Sequence, residues 1–504
     1  MNSTLSPRGI SPGQKFLTLL LAAFAIGYGV ICVRHGAWSN EKAAAQAGVK
    51  NPEKQGTDFT AFYSAGELAR QGKNIYGWRA SSTPRRPFIY PPMFALFPML
   101  PLSLLPHDAA LGVFYALSVL ALAAAFWMLR KMLWPPSNAE HARVWSSPAF
   151  GILLALAAAW RFIHANTIVG NANLMIFFLL VLALYLEWRA GRTEKGAAGT
   201  RPSQVMSGIA VALATAFKLT PGLFGVFFLW SGRRWAMLGG AIGLALFLLF
   251  FPALWFGWDA NSKYLRAFAR NAAGKALAHR TNDEPDADGI VIGWGRPGDG
   301  RKNNRENSDD EPGDATADVK FPAGEGSSLR GALANLLTPA DALKARGGVR
   351  SRAVNILALE PAPARLAATL CSLALLALTA VLTFKSRATR DGPALALAWG
   401  LVTTTMVLVA PLTRIAHLVV LILPIATLIA LLQQRLLGGA ARTLACVALI
   451  FLSAGCALVS GLARSSRFFE TLQAMGFTTL ALLLLYAAIA AALCSSICNL
   501  KSEI

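Results

Sequence analysis

The sequence has little charge for its length. Only 14% of its 504 residues are Asp, Glu, Lys or Arg, whereas 55% are hydrophobic. Soluble domains carry roughly 25% charged residues, so the composition indicates a polytopic membrane protein. Apolar runs of about 17–25 residues, the length that crosses a bilayer, recur along most of the chain.

Cysteine and metal-ligand clusters are also scarce. The six cysteines form no CxxC pair and lie in or beside apolar segments, which is typical of small core residues. No cluster of His and Cys and no nucleotide-binding glycine loop is visible, and we predict neither a dedicated metal nor a cofactor. The net charge of +21 does not indicate nucleic acid, because the basic residues sit in short loops between apolar runs.

The apolar pattern predicts an all-α protein with about twelve transmembrane helices. The segments fall at 16–33, 109–129, 148–164, 172–188, 205–217, 219–231, 235–258, 365–384, 393–410, 415–432, 442–463 and 476–497. Residues 205–231 count as a hairpin of two short helices, because Pro221 cannot continue a helical hydrogen-bond ladder. The stretch 91–106 has five prolines in sixteen residues, and we expect it to dip into the membrane or lie along it.

Basic loops set the expected orientation. With the amino terminus inside, the loops rich in Lys and Arg all fall on the cytoplasmic side, and the short outer connections are nearly bare. Both termini are then cytoplasmic, and the expected location is a bacterial inner membrane. We expect a catalytic domain over 1–433 and a transmembrane hairpin over 434–504.

Two long loops are expected on the outer face, at 34–108 and 259–364. Within the second loop, residues 280–325 hold twelve of the 26 acidic residues and almost no apolar ones. That composition predicts disorder. The first loop contains an amphipathic helix that opens with Asp58 and carries Phe59, Phe62, Tyr63 and Leu68 at helical spacing.

Polar residues inside or beside apolar segments mark candidate sites, because they are costly in a membrane. On the predicted topology they all lie at the outer face. They are Asp58, Asn171 with Asn173, Lys218, Arg330 in Ser328–Gly331, and Arg414 with His417; Arg161 and His164 are weaker candidates, and Glu187 is interpreted as an interface anchor.

Each candidate also has a structural alternative. Asp58, Asn171 and Asn173 would act as helix caps, and Lys218 would extend its amine to the interface. Arg330 would be a solvated loop charge, and His417 a hydrogen-bonded core histidine.

Several short motifs occur in one order along residues 16–433. They are Asp58-Phe59 with Tyr63, Gly72-Lys73-Asn74-Ile75-Tyr76, Tyr90-Pro91-Pro92, Gly170-Asn171-Ala172-Asn173-Leu174, Lys218-Leu219-Thr220-Pro221, Ser328-Leu329-Arg330-Gly331 and the Pro411 to His417 stretch. This ordered set resembles glycosyltransferase family 87, of the GT-C class, which includes phosphatidylinositol-mannoside mannosyltransferases.

The resemblance implies an inverting transfer of a hexose, with mannose as the first expectation. The donor would be a polyprenyl-phosphate sugar, and the acceptor a hydroxyl of a lipid or glycan. Asp58 would be the general base, and His417 would orient it or donate to the phosphate. Lys218, Arg330 and Arg414 would bind the donor phosphate, whereas Asn171, Asn173, Tyr63 and Tyr90 would contact sugar or acceptor.

A transporter or flippase of lipid-linked sugars is the alternative from another class. It would share the basic sites and the broken helices. Transporters often contain two related halves with polar groups near the bilayer midplane. We find no internal repeat, and the polar groups here cluster at one face.

Overall fold

The part of the chain that the structure describes is mostly helical. The computed structural model describes residues 57–77, 88–134, 144–192, 196–277, 327–339, 353–385, 392–411, 413–462 and 466–502, with 19, 20, 23 and 26–28. The predicted first span, 16–33, lies largely outside these described residues, and the predicted disordered segment 280–325 lies wholly outside them. No strand occurs in the described ranges.

Sixteen helical segments are numbered here in chain order. They are α1 Thr57–Arg70, α2 Pro92–Leu102, α3 His107–Leu133, α4 Pro148–Val169, α5 Asn173–Arg192, α6 Gly196–Phe217, α7 Thr220–Trp230, α8 Arg234–Phe256, α9 Trp258–Leu277, α10 Leu329–Leu337, α11 Pro361–Lys385, α12 Gly392–Val409, α13 Ile415–Gln433, α14 Gly439–Leu462, α15 Arg467–Ala474 and α16 Phe477–Ser502.

The helices confirm a polytopic membrane fold. Nine of them, within the described ranges, are long and apolar enough to cross a membrane: α3, α4, α5, α8, α11, α12, α13, α14 and α16. The predicted short hairpin is confirmed, because α6 ends at Phe217 and a 3₁₀ turn at Thr220–Gly222 opens α7. The proline-rich stretch forms only the short helix α2, which is irregular at Phe97.

Burial separates central from peripheral spans. In the most apolar window of α12, 89% of the residues are buried, and in that of α13 the share is 83%. The corresponding share is 17% for both α8 and α11. The bundle therefore packs around α12 and α13 and leaves most of α8 and α11 facing outward.

The amphipathic helix α1 packs so closely on α2 that the backbones of the two helices are in contact at Gly66. Phe59, Phe62 and Leu68 are fully buried, as their spacing predicts. A Cβ added at Gly66 would lie 2.5 Å from the carbonyl oxygen of Met99 in α2. Only glycine allows this approach, so Gly66 fixes the height at which α1, and with it Asp58, sits on the bundle.

The opposite end of the bundle is held by polar contacts. Glu187 of α5 is buried and pairs with Arg233, in the turn between α7 and α8. The interpretation of Glu187 as an interface anchor is therefore wrong, since removing either partner would leave a buried charge unpaired. At the same end the indole Nε1 of Trp134 donates to Oε1 of Gln433 at 2.9 Å.

Candidate active site

Asp58 lies at the start of α1 and faces the turn between α4 and α5. Helix α1 begins at Thr57, so Asp58 is inside the first turn and is not the cap. Its Oδ2 accepts a hydrogen bond from Nδ2 of Asn171 at 2.7 Å. A carboxylate in this turn also interacts favourably with the helix dipole, but the hydrogen bond of Asp58 is to a side chain from another element.

The turn that carries Asn171 has a fixed backbone. Gly170 ends α4 in the left-handed conformation with φ of 63°. The amide of Gly170 donates to the carbonyl of Thr167 at 3.0 Å, and that of Asn171 donates to the carbonyl of Asn166 at 3.1 Å. This pair of bonds is the Schellman arrangement, which explains the glycine in the sequence motif.

Asn173 connects three elements. Its Nδ2 donates to the carbonyl of Ala416 at 3.0 Å, and its Oδ1 accepts from Nζ of Lys218 at 2.9 Å. The first backbone bonds of α5 are accepted by the carbonyl of Ala172, which makes Ala172 the cap residue. The capping interpretation of Asn171 and Asn173 is therefore wrong, because both side chains bond to other elements.

Lys218 directs its amine into the protein. It lies between α6 and α7, outside the spans, and burial lowers the pKa of its ammonium group to about 8, although the nearby charge of Asp58 raises it. An amine that extended to the interface would not be desolvated. The cation and the carboxylate of Asp58 are thus close enough to interact.

Tyr90 and Arg414 complete the charged surroundings of Asp58. Burial raises the pKa of the Tyr90 hydroxyl well above its usual range, and the charge of Asp58 adds to the rise, whereas Asn171 and the charge of Arg414 oppose it. Tyr90 is therefore near enough to Asp58 and Arg414 to respond to their charges, and its hydroxyl is within hydrogen-bonding reach of the Asn171 side chain. The ring of Tyr90 packs edge-on against Phe62 at 4.9 Å.

A pocket opens beside Lys218. It is lined by Asn173, Ile176, Lys218, Thr220, Met406, Val407, Ala410, Thr413, His417 and Val420. Nδ1 of His417 accepts a hydrogen bond from the backbone amide of Arg414 at 3.3 Å. In a neutral imidazole the proton then sits on Nε2, which leaves Nε2 as a donor on the side of the ring away from its own turn.

Two predicted residues, Arg330 and Tyr63, interact with groups other than Asp58, Asn171, Asn173 and Lys218. Arg330 lies at the start of α10, where Oγ of Ser328 accepts from the amide of Gly331 at 3.1 Å. Burial lowers the pKa of Arg330, and the positive charge of Arg365 adds to the effect. The hydroxyl of Tyr63 donates to the carbonyl of Leu105 at 2.9 Å, and its ring packs on His107.

Sequence reasoning missed part of the site. Met406, Val407 and Ala410 of α12 line the pocket, but apolar residues in an apolar span carry no signal in the sequence. Arg365 begins the predicted span 365–384 and is not among the predicted site residues. Thr220 could have been predicted from the sequence, because it belongs to the Lys218-Leu219-Thr220-Pro221 motif.

The described part of the chain contains no group of three or more His, Cys, Asp or Glu side chains that could hold a metal ion. The chain does contain an Asp-x-Asp sequence, at Asp286 and Asp288, and it lies outside the described residues.

The fold and the site together define a multi-pass helical membrane protein with a carboxylate and a desolvated cation at one end of its bundle. Residues 88–294 match the sequence model of Glycosyltransferase family 87, which confirms the resemblance over that part of the chain. The matched part contains Tyr90, Asn171, Asn173 and Lys218, and Asp58 and His417 lie outside it.

Two further comparisons were made. No curated protein matches the chain. Among solved structures the chain is similar to the crystal structure of ArnT from Cupriavidus metallidurans bound to undecaprenyl phosphate, with 12% sequence identity, a TM-score of 0.43, and coverage of 96% of this chain and 77% of that chain. A likeness at this level carries no inference about the site.

Proposed function

We propose that this protein is an inverting glycosyltransferase that moves a hexose from a polyprenyl-phosphate sugar to a hydroxyl of a lipid or glycan acceptor. Mannose is the first candidate sugar, and the outer face of a bacterial inner membrane is the expected place of reaction. The observation that carries the proposal is the meeting of Asp58 and Lys218 through Asn171 and Asn173. The family match supports the reaction class.

The reaction assigns opposite tasks to the two charges. The acceptor oxygen attacks the anomeric carbon, the bond between that carbon and the phosphate oxygen breaks, and Asp58 takes the acceptor proton. The polyprenyl phosphate leaves with the electron pair of the broken bond. Lys218 lines the pocket and stabilises the departing phosphate as a point charge. The guanidinium of Arg414 would donate further hydrogen bonds to the same phosphate from a planar set of N–H groups.

His417 and Arg330 support the phosphate in this scheme. His417 lines the same pocket as Lys218, which favours a contact with the phosphate over the orientation of Asp58. Arg330 is near enough to Arg365 to respond to its charge. These two arginines would bind the donor phosphate before it enters the pocket. Tyr90 is placed to contact the acceptor next to Asp58.

The first prediction concerns Asp58. A positioned base contributes roughly 10²–10⁴-fold, so Asp58→Asn should lower transfer by that factor in detergent-purified protein given a panel of polyprenyl-phosphate hexoses. The matched control is Asp259→Asn. Asp259 also lies in the first turn of a helix, α9, but it is exposed and pairs with Lys263.

The control should keep wild-type transfer. Wild-type activity in Asp58→Asn would remove Asp58 from the role of base. Movement of the lipid-linked sugar across vesicle membranes without any glycosylated product would instead identify a flippase.

A further inference from the structure

The turn Gly170–Asn173, here called the asparagine turn, touches both charges of the site. Asn171 bonds to Asp58, and Asn173 bonds to Lys218. Only Ala172 separates the two asparagines, and it is buried. One rigid peptide therefore contacts the carboxylate of α1 and the amine that follows α6.

Both amides are buried while they make these contacts. Asn171 and Asn173 are each 2% exposed, and a hydrogen bond to a charged group is stronger when water is excluded. The donor of Asn171 is committed to Asp58, while its Oδ1 is buried with no hydrogen-bond partner among the described residues. A contact from Oδ1 to a sugar hydroxyl, as the sequence predicts, remains compatible with this arrangement.

Asn173 is anchored on its other side. Its Nδ2 bonds to the carbonyl of Ala416, the residue before His417, so its Oδ1 is turned toward Lys218. The amide thereby fixes the amine relative to the wall that carries His417. Neither asparagine side chain caps α5: Asn171 bonds to Asp58, and Asn173 bonds to Lys218 and to the carbonyl of Ala416.

We infer that Asn171 and Asn173 are positioning residues, one for the base and one for the phosphate-binding amine. The inference rests on the proposed function. A misplacement of about 1 Å in a reacting geometry can cost roughly 10²-fold in rate. A turn that sets both charges from one backbone keeps their separation constant while the donor enters.

The two asparagines should differ in kinetic effect. Asn171→Ala should lower kcat roughly tenfold to a hundredfold with little change in the donor KM. Asn173→Ala should instead raise the donor KM, because the amine that binds the donor phosphate loses its partner.

Isosteric variants keep the test decisive if an alanine variant does not fold. Asn171→Asp preserves the shape of the side chain but replaces the donor with a second carboxylate, so it should lower kcat as Asn171→Ala does. Asn173→Asp should move the alkaline limb to higher pH, since a carboxylate favours the charged form of a nearby amine.

Asn261→Ala is the control, because Asn261 is a buried asparagine whose amide bonds to the carbonyl of Leu248 at 3.0 Å, away from the pocket.

The control should leave kcat, the donor KM and the alkaline limb unchanged. Equal changes in kcat and in donor KM for both asparagines, with an unmoved alkaline limb in Asn173→Asp, would overturn the inference. Wild-type kinetics in Asn171→Ala beside an inactive Asp58→Asn would also overturn it and leave the proposed function standing. A fully active Asp58→Asn would instead reject the proposed base itself.

Discussion

At the scale of single residues, Lys218 combines a charge with partial burial. It lines the pocket, and its ammonium group bonds to Asn173. Its pKa of about 8 lies near the pH of a cell, so a modest rise in pH removes the charge. The residue that would hold the donor phosphate is therefore sensitive to pH.

The prediction for Lys218 is a loss of donor use at alkaline pH. Because kcat/KM reports the free enzyme, its value for the donor should fall as the pH rises above about 8. Lys218→Arg remains charged throughout this range, so it should lack this alkaline fall even if its activity is lower. An alkaline limb that persists in Lys218→Arg would assign the titration to another group.

Stability should change in the opposite direction over the same range. The pKa of Lys218 is lower in the folded protein than in the unfolded chain, so unfolding takes up a proton between about 8 and the usual value of 10.5. The contribution of Lys218 to the free energy of unfolding therefore rises with pH in that window. A fall in kcat/KM without a fall in melting temperature would separate loss of charge from loss of fold.

At the scale of elements, α1 is the helix that brings the carboxylate to the bundle. Gly66→Ala should destabilise the protein by about 1–3 kcal/mol, because the new methyl group would press on the backbone of α2. The shift of α1 should also reduce transfer by displacing Asp58. Melting of the detergent-purified variant, followed by its tryptophan fluorescence, measures the first effect.

Gly112→Ala is the matched control for this prediction. Gly112 is another helical glycine, in α3, and an added Cβ there would meet no atom within 4 Å. Its melting temperature should stay near that of the wild type. Equal behaviour of the two variants would mean that α2 yields and that Gly66 does not set the height of α1.

The sequence predicts a structural feature where the residue type is unusual for its context, and fails where one residue type serves two roles. Lys218 and Pro221 marked the break between α6 and α7, because a cation and a proline are both unusual in an apolar helix. The sequence could not show that Asn171 and Asn173 serve other elements, because capping requires the same residue types. Their partners are 113 and 45 residues distant, and only packing of the whole bundle brings them together.

At the scale of the whole molecule, the ends of the bundle differ in charge. The basic residues Arg189 and Arg192 end α5, and Arg130 and Lys131 lie in the last turn of α3. The site residues lie at the other ends of these helices. The structure thus separates the basic loops from the site, as the positive-inside rule requires of an outward-facing site.

The orientation can be tested by labelling cysteines in intact cells. In a chain whose six native cysteines are replaced by alanine, a membrane-impermeant maleimide should label Lys73→Cys, in the exposed turn after α1. It should label Arg192→Cys, exposed at the far end of α5, only after the membrane is permeabilised. The reverse pattern would place the site in the cytoplasm and exclude an outer-face reaction.

The central position of α12 and α13 has a consequence for how the protein is made. Synthesis proceeds from the amino terminus, so the spans α3, α4, α5, α8 and α11 are inserted before residue 392 leaves the ribosome. The two helices around which they pack arrive late. Until then the inner faces of the earlier helices are not covered by α12 and α13. We therefore expect the growing chain to be most open to membrane proteases, and most in need of insertion chaperones, before α12 is inserted.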